Sequence, residues 1–178
     1  KVERVSKLDG HSVTIIENGP LYSALTIDYK NWQIAGKTLQ LTADLSMTAG
    51  SRLVHTRLTS SDTLDNFAIG LVKLPGTKVL QGKLDIPGHS WTYLASWGEQ
   101  TLTGGNDKLG MAVLFKQGAN KAITSDTNSN VAVMTPSGNE LEYYFLSAWD
   151  GEPGGPDEPP LIHTLRGVGY RIAPPDAL

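Results

Sequence analysis

An all-β, antiparallel β-sandwich is predicted for this chain by three features of its sequence. Apolar residues recur with a period of two, no useful window carries the i, i+3, i+4, i+7 spacing of an amphipathic helix, and Gly, Pro, Thr and Ser punctuate the apolar stretches. The clearest case is 38–48, where Leu39, Leu41, Ala43, Leu45 and Met47 alternate with polar residues. This is the pattern of a half-buried antiparallel strand.

The other elements follow in order. Asn18-Gly19-Pro20 marks a turn into a strand over 21–30, and Ile34-Ala35-Gly36-Lys37 a turn into the strand at 38. Ala49-Gly50-Ser51 then returns the chain along 52–59, with Val54 and Leu58 on one face and Leu53, His55 and Arg57 on the other. Further strands are expected at 67–74, 79–84, 90–97, 109–115, 131–135 and 141–149. After Asp150 the segment GEPGGPDEPP can neither continue a strand nor start a helix. The expected organisation is therefore a sandwich domain over 1–150 and a linker with a C-terminal tail or hairpin over 151–178.

Composition narrows the function. The 178 residues carry 15 Lys plus Arg against 18 Asp plus Glu, a formal charge of −3. A nucleic-acid partner normally calls for a basic excess. Apolar residues make up 39% and charged residues 19%, enough for a core in one ordinary domain. No apolar run of about 18 residues predicts a membrane span. The absence of Cys removes disulfides, thiolate nucleophiles and Cys-ligated metals.

Several residues are candidates for chemistry. Trp91, Tyr93 and Trp97 share one parity, with Glu99 and Gln100 following in SWGEQ. Flat aromatic faces suit the C–H faces of a sugar ring, and a carboxylate beside an aromatic can serve as an acid; core aromatics and a solvated strand end are the plain alternatives. Glu142 alternates with Tyr144 and Leu146, and either Tyr143 or Tyr144 can be platform or core. Gly88-His89-Ser90-Trp91-Thr92 partly matches a nucleophile elbow, but that motif needs a strand-to-helix turn and no helix is expected. The histidines at 11, 55, 89 and 163 show no metal-binding spacing, so no transition metal is expected. Loop residues Asp62, Asp65, Asp107 and Asp126 could hold calcium, although loop aspartates more often shape turns. No phosphate-binding glycine motif appears, and no cofactor is expected.

The succession VTIIENGPLYSALTIDYKNWQIAGKTLQLTADLSMTAGSRLVHTRLT, FAIGLVKL, YLASWGEQ, DKLGMAVLF and ELEYYFLSAWD, over about residues 13–149, resembles the bacterial family DUF4861, a domain of unknown function. The resemblance implies a β-supersandwich like that of galactose mutarotases, among secreted proteins that handle plant or algal polysaccharides. It also implies a longer parent fold, so a version truncated at the N-terminus, before Lys1, is expected. A periplasmic or extracellular location follows from the same likeness. In mutarotase-like enzymes a His and a carboxylate transfer protons and an Arg can clamp a uronate. Carried over, this puts His55 with Glu99 or Glu142 as acid and base, Arg57 and Lys73 as anion clamps, and Trp91, Tyr93, Trp97 and Gln100 against the sugar.

The tail PPLIHTLRGVGYRI, over 159–172, resembles the C-terminal hairpin of the winged-helix domain of response regulators. No recognition helix accompanies it, so it implies no groove reading. A joined foreign segment is one expectation; a hairpin of 161–165 with 169–172 on the sandwich edge is the other.

The function expected is binding, with processing by lyase, isomerase or hydrolase chemistry, of an acidic or plant-wall saccharide. A non-catalytic carbohydrate-binding module and an inactive fragment of a larger supersandwich are the alternatives.

Overall fold

A computed structural model describes residues 5–86, 89–99, 107–149, 162–165 and 169–172. Among them there is no helix, and the strands pair antiparallel throughout. The chain first makes a meander of β1 (Gly10–Asn18), β2 (Tyr22–Ile34), β3 (Lys37–Thr48) and β4 (Val54–Ser60). It leaves this layer for β5 (Phe67–Val72), then returns as β6 (Lys78–Ile86), β7 (His89–Gly98) and β8 (Leu109–Lys116). Next come β9 (Asn120–Ser125) and β10 (Ser129–Met134), followed by β11 (Glu140–Trp149). β12 (Ile162–Leu165) pairs antiparallel with β13 (Gly169–Ile172) in a separate two-stranded sheet.

Two layers result. The large sheet has eight strands in the order β1-β2-β3-β4-β11-β8-β7-β6, and the small sheet has three in the order β5-β10-β9. β11 enters between β4 and β8, joining the first meander to the second. That single insertion brings the His55 strand within reach of the aromatic strand.

Alternation then sorts each strand into a core face and an outer face. Leu39, Leu41, Ala43, Leu58, Leu94, Val113, Phe115 and Leu141 line the inner face of the large sheet, and Phe67, Leu71, Ala132 and Met134 meet them from the small one. Phe115, Leu94 and Met134 are fully buried. Burying side chains of this size contributes roughly 1.5–3 kcal/mol each, which makes this layer the main source of stability.

The expected turns are present, and the 34–37 turn shows why its residues were chosen. Ile34 pairs with Lys37, and the two residues between them, Ala35 and Gly36, have φ of 50° and 77°. A two-residue hairpin of this kind needs left-handed backbone at both positions. Two strands carry no sequence signal. β1 is exposed over nearly its whole length, so burial imposes no alternation on it. β9 is short and mostly exposed. β2 runs past the expected end at Lys30 because a bulge between Tyr29 and Trp32 lets pairing with β3 resume.

Candidate functional site

The outer face of the large sheet gathers most of the chemistry-bearing residues, and register explains how. His55 pairs with Tyr144, Tyr144 with Leu114, and Leu114 with Tyr93. One rung away, Asp44 pairs with Arg57 and Arg57 with Glu142, while Lys116 pairs with Trp91. These residues alternate with the buried Ala43, Thr56, Leu58, Leu141, Val113, Phe115, Thr92 and Leu94. They therefore all project away from the core.

At the centre lies a chain of polar contacts. His55 Nε2 lies 2.8 Å from Glu142 Oε1, and Lys116 Nζ donates to Glu142 Oε2 at 2.5 Å. The side chains of His55 and Glu142 are 30% and 33% exposed, so the pair is partly desolvated yet open to a ligand. The bond from Lys116 holds the Glu142 carboxyl below its ordinary value of 4.5; desolvation opposes this, and the contact with His55 adds to it. Glu142 is thus ionised at neutral pH and accepts hydrogen bonds. In return, Glu142 raises the ammonium of Lys116 above 10.5.

An aromatic run borders these groups. The His55 imidazole stacks on Tyr144 with ring centroids 4.7 Å apart, and Trp91 meets Tyr144 edge-on at 5.3 Å. The rings span β4, β11 and β7. Trp97 and Tyr93 continue the face by lying over glycines. A Cβ built on Gly110 would come 2.9 Å from Trp97 Cε3, and one on Gly82 would come 2.9 Å from the Tyr93 hydroxyl. The rings rest against backbone on the sheet's outer surface instead of standing between the two layers. Trp32 is the indole that the core absorbs, at 4% exposure.

Not every predicted residue joins this group. Glu99 lies six residues beyond Tyr93, whose rung His55 shares, so the two are roughly 20 Å apart along the strand direction and three strand spacings apart across it. The structure brings His55 together with Glu142 and not with Glu99. Lys73 follows β5 in the other layer, where its backbone N–H donates to Asn128 O, so it does not share the face of Arg57. Gln100 lies outside the described residues. Ser90 sits inside β7 opposite Asp85, on a strand and not on a turn into a helix.

The loop aspartates are similarly dispersed. Asp62 pairs with Lys37, Asp126 accepts from the backbone of Asn128 and Ser129, and Asp107 accepts from Trp149 Nε1. Among the described residues no three potential metal ligands gather.

Two residues of the site escaped sequence reasoning. Lys116 ends β8 and reads as an ordinary polar terminus; its role depends on the non-local register of β8 with β11. Asp44, polar in an alternating strand, faces Arg57 only through the β3–β4 pairing.

Two cavities flank this arrangement. A groove of about 350 Å³ on the outer side is lined by Ile16, Tyr22, Thr26, Asp44, His55 and Arg57. A larger cleft of about 710 Å³ lies toward the core, lined by Ile27, Trp32, Leu58, Phe67 and Tyr143 among others. Burial there pushes the Tyr143 phenol up. That cleft is walled largely by packing residues and holds no paired acid and base, whereas the outer groove opens onto His55.

The profile of a family described as a domain of unknown function (DUF4861) matches residues 2–159. No curated protein and no solved structure matches the chain.

Proposed function

This chain belongs to the DUF4861 family, and from that premise and the outer-face geometry we propose that it binds an acidic carbohydrate and processes it by proton transfer at His55. The observation that carries this reading is the contact of His55 Nε2 with an ionised Glu142, beside rings that can stack on a sugar.

The roles follow from the contacts. A carboxylate facing Nε2 favours the tautomer with the proton on that nitrogen. Nδ1, which has no hydrogen-bond partner among the described residues, then carries the lone pair and acts as the base. It would take a proton from a sugar carbon next to a carboxylate, from a hydroxyl or from water. Glu142 orients the imidazole, and Lys116 keeps Glu142 ionised. Arg57 offers a guanidinium to an anionic substituent, while Tyr144, Trp91 and Trp97 supply apolar faces.

A second reading is a binding module without catalysis, favoured by the way the Trp97 and Tyr93 rings cover Gly110 and Gly82 on the outer face. The two are separated by incubating the full chain with soluble polyuronates and neutral plant-wall glucans and resolving the products chromatographically. Catalysis predicts new products that disappear in His55→Ala and persist in Glu99→Ala. Binding without products supports the module. No binding to any glycan overturns both.

A further inference from the structure

The outer face carries its functional groups in rungs that run across the strands, and this has a consequence for the shape of the ligand. Ser46, His55, Tyr144, Leu114 and Tyr93 are successive partners from β3 to β7. Asp44, Arg57 and Glu142 form the neighbouring rung, which Lys116 and Trp91 continue. Adjacent strands lie about 4.8 Å apart, so the five strands from β3 to β7 span about 19 Å. One unit of a linear hexopyranose chain has a length close to a single strand spacing.

His55 does not stand at an end of this track. The groove of about 350 Å³ lies on its β1–β3 side, bounded by Ile16, Tyr22, Thr26 and Asp44. Tyr144 and Trp91 lie on its other side.

Arg57, which borders the same groove, is flanked by two carboxylates in the register yet makes no ion pair or hydrogen bond among the described residues. Its neighbours are engaged elsewhere. Asp44 accepts from Thr26 Oγ1 at 2.6 Å, and Glu142 is taken by Lys116 and His55. The guanidinium fork is left free for a carboxylate, which it can bind through two parallel hydrogen bonds.

We infer that the site takes an extended uronate chain laid across the strands, with a carboxylate-bearing unit at Arg57, following units on Tyr144 and Trp91, and the reacting position at His55 inside the bound segment. This rests on the carbohydrate reading above and adds to it the length, orientation and charge of the ligand. The number of strands crossed predicts a footprint of about four units. A site of this kind acts within a chain and not at its tip.

Calorimetric titration of the full chain with oligogalacturonates and oligomannuronates of two, four and six units, and with cello-oligosaccharides of the same lengths, tests the inference. Affinity for a uronate series should rise about tenfold or more from two units to four, the gain expected of added ring-stacking contacts, and level off by six. Arg57→Gln should abolish the preference for uronates over neutral chains of equal length. Trp91→Ala should reduce the gain in affinity from two units to four. Equal affinity for two and six units, or an undiminished uronate preference in Arg57→Gln, overturns the inference and leaves the carbohydrate reading standing. Binding of none of these oligomers overturns both.

Discussion

The imidazole of His55 lies over the ring of Tyr144, with planes inclined by 29° and centroids 4.7 Å apart, on strands that are adjacent only because β11 inserts next to β4. The same two strands set Glu142 against His55 Nε2. One inter-strand register thus determines both the ring's stacking surface and its hydrogen-bond partner.

The ion pair of Glu142 with Lys116 should make stability depend on pH at both ends of the scale. The folded-state value of Glu142 is lowered, so its contribution is present above its ordinary 4.5 and is lost as pH falls through the lower folded value. Lys116 is raised, so its contribution is complete below 10.5 and is lost as pH rises through the higher folded value. Lys116 is 60% exposed, so solvent screening keeps the pair to about 0.5 kcal/mol. Urea midpoints of the parent and Glu142→Gln should differ most near neutral pH and converge in strong acid and in strong base.

Gly110→Ala should cost about 1 kcal/mol, because the new methyl meets the Trp97 ring at 2.9 Å and the indole must lift. In a Trp97→Ala background the same change should cost little, since the obstruction is gone. A double-mutant cycle read by denaturant unfolding measures that coupling. Equal costs in both backgrounds would show that the indole does not rest on Gly110.

Gly98→Ala should be more damaging, at about 2–3 kcal/mol. A Cβ there would stand 2.8 Å from Gly76 O and 2.9 Å from Thr77 Cα, and backbone cannot step aside as a side chain can. Thermal unfolding of the variant checks this. It would assign the glycine of SWGEQ to packing against the 76–77 turn, independently of any ligand.

Trp91→Ala and Trp97→Ala should each weaken binding of an acidic oligosaccharide by roughly 1–2 kcal/mol while leaving the fold intact. Trp32→Ala should do the reverse, losing about 3–5 kcal/mol of stability because its indole is buried in the core. Titration calorimetry paired with urea unfolding separates the two classes. A loss of stability in Trp91→Ala comparable to that of Trp32→Ala would make Trp91 a structural residue.

The sequence by itself determined the all-β class, the parity that puts His55 with Arg57, and Trp91 with Tyr93 and Trp97, on one face of their strands, and the turn at Ala35-Gly36; that the aromatic face points away from the core came from the structure. Each of the first three depends on chemistry local to a few residues: side-chain parity, and backbone that must adopt positive φ. The exposed strand β1 left no such trace, because a strand that buries neither face has no reason to alternate. Only the tertiary structure decided which outward-facing residues meet. Glu99 and Glu142 look equally suited to His55 in the sequence, yet the placement of β11 chooses Glu142, adds Lys116 and leaves Glu99 at the far end of β7. Strand order and register are set by how all the apolar faces pack at once, and that sum over distant residues cannot be read from any one segment.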